Sequence, residues 1–265
     1  MSALTANTHE PTEPTLDRKW LKATVDGASF VPILNVLSSI TDNVRLCFGP
    51  EAITVETRNG PNTISADVAY TDVEYNASDL ATTTEIAVNT ERLYNVARSM
   101  DKHDGELSLR LDADETHIVV SKGSYMNYVD IFDPETVDDT GTPDTDEMDL
   151  DAEAEIHTVD LKSIVGAVTG SETGAVVLEI DDSGGVGTYY DHPGEGGPNP
   201  FVECETAGDS ISAFGCDTLW SVVGSLHPSG TVTLRNRDGW TLVIETDHAE
   251  FVVAPSLNVD VGGDD

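Results

Sequence analysis

Apolar and polar positions along this chain follow two periods that switch in a fixed order. Over 20–25, Trp20, Lys22 and Thr24 alternate with Leu21, Ala23 and Val25, which predicts a strand. Over 29–40, Phe30, Ile33, Leu34, Leu37 and Ile40 share one face at helical spacing, with Ser29 placed to cap. Pro32 is tolerable there because first-turn amides lack partners anyway. Strand patterns follow at 43–48, 52–57, 63–69, 72–75 and 85–88, joined by Gly, Pro and Asn turns. Asn89 or Thr90 opens a second helix through Met100, and strands are predicted at 106–112, 116–121 and 124–132. Over 133–151 the periodicity lapses into Pro, Gly and acidic residues, which reads as a linker.

After the linker the same order resumes. A strand over 155–160 leads into a helix over 161–168, and strands follow at 175–180, 185–191, 201–206 and 210–214. Asp217 is placed to cap a helix to 226, and strands at 231–236, 239–245 and 250–254 close the chain. Residue words repeat as well. Leu93, Val96, Leu107-Ser-Leu-Arg110 and Ile118-Val-Val120 return about 125 residues later as Leu219, Val222, Val232-Thr-Leu-Arg235 and Leu242-Val-Ile244. A period this long is that of a duplicated domain, not of a solenoid. The fold class is therefore α+β, in two tandem units of sheet plus two helices. The expected limits are a disordered tail at 1–18, one domain at 19–132, a connecting loop at 133–151, a second domain at 152–258 and an acidic tail at 259–265. The Gly/Pro-rich loop at 192–200 is expected to be mobile.

Charge changes the picture. Asp and Glu number 49 against 13 Lys and Arg, a formal net charge of −36 over 265 residues. The acids are spread along the chain and Lys is scarce, as in proteins of molar salt, where the Debye length is about 3 Å or less and self-repulsion is screened. The rival readings are an acidic mimic and a cation-binding protein. Ten of the basic residues precede residue 123, so a polyanion would meet mainly the first unit. The three cysteines, Cys47, Cys204 and Cys216, have neither zinc nor disulfide spacing. Cys47 and Cys204 read as small core residues. No apolar run suits a membrane span and the start lacks a signal-peptide pattern, so a soluble, cytoplasmic protein is expected.

Catalytic patterns are missing from the sequence. There is no HExxH, GxSxG or Walker Gly-Lys-Ser/Thr. The glycines of 183–187 lie between strands and read as a turn. His117 and His248 read as structural, and the acidic run at 144–151 lacks the ligand order of a calcium loop. The expectation is a protein that is not an enzyme, with no metal and no cofactor.

The duplicated order, with Tyr125-Met-Asn-Tyr-Val-Asp-Ile-Phe-Asp-Pro134 before the linker and Phe251-Val-Val-Ala-Pro-Ser-Leu257 near the end, resembles the sliding clamps of DNA replication, the proliferating cell nuclear antigen (PCNA) family, in an archaeal, halophilic form that could be virus-borne. The resemblance covers about 20–258. It implies a homotrimeric, pseudo-sixfold ring with helices inside, around double-stranded DNA bound without sequence preference. It implies tethering of DNA polymerase, flap endonuclease, ligase and a clamp loader through a peptide motif. DNA-facing positions would be Arg92, Arg98, Lys162 and His227. The partner-peptide pocket would comprise Phe132, Val137, Met148, Leu150, Val253, Ala254, Pro255 and Leu257. The subunit joint would pair Thr116, His117, Ile118, Val119 and Val120 with Val186, Thr188, Tyr189 and Tyr190 of a neighbour. The sequence departs from the family at Asn59, where Asp is usual, at Ser65, where an aliphatic residue is common, and in the scarcity of Lys and Arg on the inner helices. The alternatives are a structural β-rich protein such as a coat or tail component, a divergent clamp-like decoy subunit, and an enzyme using Asp-bound divalent cations.

Overall fold

The computed structural model describes residues 21–75, 83–102, 106–111, 116–137, 141–169, 174–189 and 200–256. Both expected tails lie outside the described residues, as does 192–199 of the expected mobile loop. The first half runs β1 (Lys22–Val25), α1 (Gly27–Ile40), β2 (Asn43–Phe48), β3 (Ile53–Arg58), β4 (Ile64–Tyr70), β5 (Val73–Tyr75), β6 (Thr84–Asn89), α2 (Thr90–Asp101), β7 (Leu107–Leu111), β8 (His117–Lys122) and β9 (Tyr125–Phe132). The second runs β10 (Ala152–His157), α3 (Thr158–Val168), β11 (Ala175–Asp181), β12 (Gly185–Tyr189), β13 (Phe201–Glu203), β14 (Glu205–Ala207), β15 (Ser210–Gly215), α4 (Cys216–Val223), β16 (Thr231–Asn236), β17 (Leu242–Glu245) and β18 (Ala249–Val253). Strands and helices thus fall in the same order twice.

Pairing repeats with the order. β1 lies between β5 and β7, and β10 between β14 and β16. β2 lies between β3 and β6, and β11 between β12 and β15. The halves join where β18 pairs antiparallel with β4, Phe251 opposite Ala66 and Val253 opposite Ile64, all four buried. That join makes a continuous 14-stranded sheet. Burying a side chain such as Phe251 contributes about 1.5–3 kcal/mol, so the halves share one core.

The four helices lie in a row, α2, α1, α4, α3, by their contacts. Their buried faces, among them Leu34, Leu37, Leu93, Leu161 and Leu219, belong to the shared core. Polar bonds lock α1 to α4: Asn35 Nδ2 donates to Ser225 O at 3.0 Å and Ser39 Oγ to Ser221 O at 2.8 Å.

Several boundaries differ from the sequence reading. Asp26, not Ser29, caps α1, accepting from Ala28 N at 3.3 Å. Ser29 lies in the first turn and bonds Tyr70 Oη at 2.8 Å. Asn89 caps α2 as expected. α3 begins at Thr158, inside the expected strand, and α4 begins at Cys216 without a side-chain cap. The strand expected over 201–206 is two strands, β13 and β14, in different sheets. Cys47 and Cys204 are only half-buried, and Cys216 is the buried thiol. The glycines of 183–187 do turn the chain between β11 and β12, with Ser183 N on Asp181 Oδ1 at 2.8 Å. That bond holds the Asp181 carboxyl below its usual pKa.

Candidate functional site

The residues that the sequence singled out fall on the helix row, on the segment joining the halves with the end of β18, and on two strands, β8 and β12. The helix row is close to neutral. α1 carries no charged residue, and the four helices together hold Arg92, Arg98 and Lys162 against Glu91, Asp101, Asp160 and Asp217. Arg92 and Arg98 are exposed on α2, with the Arg98 guanidinium 5.8 Å from the Tyr94 ring centroid. Arg98 and His227 line one groove of about 320 Å³ between α1, α2 and the end of α4. His227 is engaged there, its Nδ1 at 2.5 Å from Ser229 Oγ. Lys162 is spent differently: its Nζ donates to Gly224 O at 3.0 Å, closing the end of α4, and burial pulls its pKa down.

The joining segment is a strap, not a free linker. It leaves β9 through a 3-10 turn at Pro134–Thr136 and includes a second at Thr145–Glu147. Arg45 on β2 donates to Pro134 O at 3.1 Å and Val137 O at 3.0 Å, and Arg58 on β3 to Gly141 O at 2.6 Å. Farther on, Thr145 Oγ1 donates to Glu250 on β18 at 2.7 Å, and Arg235 on β16 donates to the same carboxylate at 2.9 Å. Arg237 closes the series on Asp149 at 3.1 Å and Asp151 at 3.5 Å. The strap therefore crosses the outside of the sheet in strand order, from β2 to β16. Gly208 fits its far end, where a Cβ would lie 2.1 Å from Asp151 O.

The expected peptide-pocket residues divide between the two ends of the strap. Phe132 and Val137 lie at the Arg45 end. Met148 and Leu150 lie at the far end and are half-buried, as are Ala254 and Pro255 on the segment after β18. Val253 is wholly inside the core and offers no surface, and Leu257 lies outside the described residues. The far end also holds Trp240, exposed in the β16–β17 turn, its ring 5.6 Å from the Arg237 guanidinium and its amide donating to Ser212 Oγ. Sequence reading missed Trp240; its one signal was an aromatic residue in a Gly-containing turn. Asn59 orders the β3–β4 turn, its Oδ1 accepting from Thr63 N at 2.8 Å and Ile64 N at 3.0 Å, while its Nδ2 donates to Thr63 Oγ1. An Asp at this position would lack that donor.

The expected subunit-joint strands do not present edges. β8 is bonded on both sides, by β7 and β9, and β12 by β11 and β13. Ile118, Val119, Val120, Val186 and Thr188 are buried within the chain, and Thr188 Oγ1 bonds Ile164 O. Tyr189 is nearly buried and bonds the Glu179 carboxylate. Tyr190 lies outside the described residues, which leaves only Thr116 exposed and His117 half-exposed, the latter 2.9 Å from Asp130. Apolar runs mark the middle of a sheet, not its border. The free borders are one strand away. β9 meets β8 over Tyr125–Asp130 and touches β6 only at its end. It exposes Tyr125 (53%), Met126 (58%) and Tyr128 (47%). β13 is the outer strand of the four-stranded sheet and exposes Phe201.

Solved structures carry the same arrangement. PCNA from Thermococcus kodakaraensis superposes with a TM-score of 0.73 over 89% of this chain and 100% of its own, at 15% identity. The fold is that of a sliding clamp. The PCNA2–PCNA3 complex of Sulfolobus tokodaii gives 0.71 at 18% identity, over 89% of this chain and 98% of its own. A. fulgidus PCNA, solved with the C-terminal region of FEN-1 bound, gives 0.70 at 17% identity, over 91% of this chain and 100% of its own. No protein-family model and no curated protein sequence matches the chain. Among the described residues of this clamp fold, no group of His, Cys, Asp and Glu is arranged to hold a metal ion, and no helix is long and apolar enough to cross a membrane.

Proposed function

We propose that the protein is a DNA sliding clamp: three copies close into a ring around double-stranded DNA, and the ring tethers polymerase and other replication and repair enzymes without catalysing a reaction itself. The observation that carries this reading is the inner joint. Within one chain the last strand of the second half, β18, pairs with the fourth strand of the first, β4. The corresponding strands with open edges are β9, last of the first half, and β13, fourth of the second. Pairing β9 of one copy with β13 of the next repeats the inner joint between copies. Such head-to-tail contact closes into a ring when the rotation allows. An exposed edge bearing Tyr125, Met126 and Tyr128 is otherwise an aggregation hazard. This reading moves the subunit joint one strand outward from the resemblance-based assignment and keeps domain limits of 19–132 and 152–258.

The helix row then faces the hole. Its near-neutrality in so acidic a chain suits a polyanion, and a threaded ring needs topology more than affinity to stay on its track. Partner peptides would dock at the far end of the strap, among Met148, Leu150, Ala254 and Pro255, with Trp240 as an added wall. Light scattering in high salt tests the ring: the expected particle is three times the 28.3 kDa chain. Tyr128→Asp places a charge on the open β9 edge and should leave monomers with unchanged circular dichroism. A wild-type chain that stays monomeric at every salt concentration rejects the proposal.

A further inference from the structure

We propose that Trp220 is a non-ionic contact to the sugar–phosphate backbone of the threaded duplex. The inference rests on the clamp reading and concerns the wall of the hole. Trp220 is 39% exposed on α4, while its neighbours Leu219, Val222 and Val223 are buried. Its indole is seated on two glycines. A Cβ at Gly166 of α3 would lie 3.2 Å from the ring, and one at Gly224 would lie 2.8 Å from it. The ring thus lies over the α3–α4 seam, close to the Gly224 carbonyl that Lys162 caps. Among the described residues no acceptor takes its indole N–H.

The surrounding chemistry selects the occupant. Of the three basic groups on the helices, Lys162 is turned inward to Gly224, which leaves Arg92 and Arg98 on α2 to meet phosphate directly. α3 and α4 therefore offer only that one tied cation, and they also carry only Asp160 and Asp217 in a chain of 49 acids. A wall with so few acids repels an anionic partner less than the rest of the surface does. Phosphate contacts made by Arg lose strength steeply as salt rises, because their affinity comes from counterion release. An indole face against deoxyribose, with its N–H donated to a phosphate oxygen, neutralises no phosphate and so adds no counterion release of its own to lose as salt rises. The duplex would then be touched by ions on α2 and by an aromatic plane on α4.

The test uses the full chain with Trp20→Phe and Trp240→Phe, leaving Trp220 as the sole indole. Monomers are reassembled with nicked circular plasmid in about 2 M KCl, and retained protein is separated by gel filtration. Trp220 emission is expected to shift in retained rings and to keep that shift as salt rises. Run-off from linear plasmid should be about fivefold faster for Trp220→Ala, and intermediate for Trp220→Phe, which keeps an aromatic face and loses the N–H donor. A melting curve for each variant separates loss of contact from loss of fold. Retained rings with unchanged emission and equal run-off for all three proteins overturn the proposal and leave the clamp reading standing. A larger emission change with free single-stranded DNA than with threaded duplex also overturns it. Absence of retention on circular plasmid defeats the clamp reading itself, and this inference with it.

Discussion

Asp67 shows how a single residue records the acidity of the whole. It stands opposite Glu56 on β3 and Glu250 on β18, so three carboxylates cross the inner joint in a row. Arg235 neutralises Glu250, and partial burial pushes the Asp67 carboxyl above its ordinary pKa. The folded state then holds that proton more tightly than the unfolded one. The stability linked to this group is fully present below the unfolded pKa and lost as pH rises through the folded pKa. Asp67→Asn should therefore raise the melting temperature at neutral pH, and the gain should fade in acid. Solvent exposure keeps the gain to about 0.5 kcal/mol. An equal gain at every pH would show that charge is not its source. Lys162 makes the complementary case. Its bond to Gly224 O predicts that Lys162→Ala costs about 1 kcal/mol of stability, read as a lower melting temperature, with the salt slope of DNA binding unchanged. Arg92→Ala should do the reverse, flattening that slope by about one unit.

Among elements, the strap is the informative one. The sequence of 133–151 has no period, so its dependence on Arg45, Arg58, Arg235 and Arg237 was invisible: each partner lies far off in the chain. Removing two ties with Arg58→Ala and Arg237→Ala should make the strap cleavable by added protease about tenfold faster, while the halves stay folded. An unchanged cleavage rate would mean that the ties do not hold it. Among the described residues, periodicity did disclose every α-helix and most strands, because burial on one face leaves its mark in local order. It could not divide 201–206 into β13 and β14, since the run alternates straight through the break and only the two partners, β12 and β10, separate the pieces. The resemblance put the joint on Ile118-Val-Val120, which has no open border, and that run is apolar because it is interior. The strand with the open edge, β9, exposes Tyr125, Met126 and Tyr128, which in sequence drew notice only as part of the word before the linker.

For the whole molecule, charge and shape must be judged together. A net charge of −36 repels at low ionic strength, both within a chain and between copies. Raising KCl from about 0.1 M to about 2 M shortens the screening length severalfold, so melting temperature and particle mass should rise together. A particle that is largest in low salt would contradict edge pairing as the source of association. The duplication was legible at this scale without any catalytic residue, because it rests on the order of elements and not on chemistry.

The β18–β4 seam carries a last consequence. It is backed by a shared core and bound over by the strap, whereas the proposed β9–β13 contact between copies has no covalent bridge. A closed circle built from both kinds of boundary has hinges of unequal strength. Whatever admits a DNA duplex would part the circle between copies, with each chain moving aside as one arc.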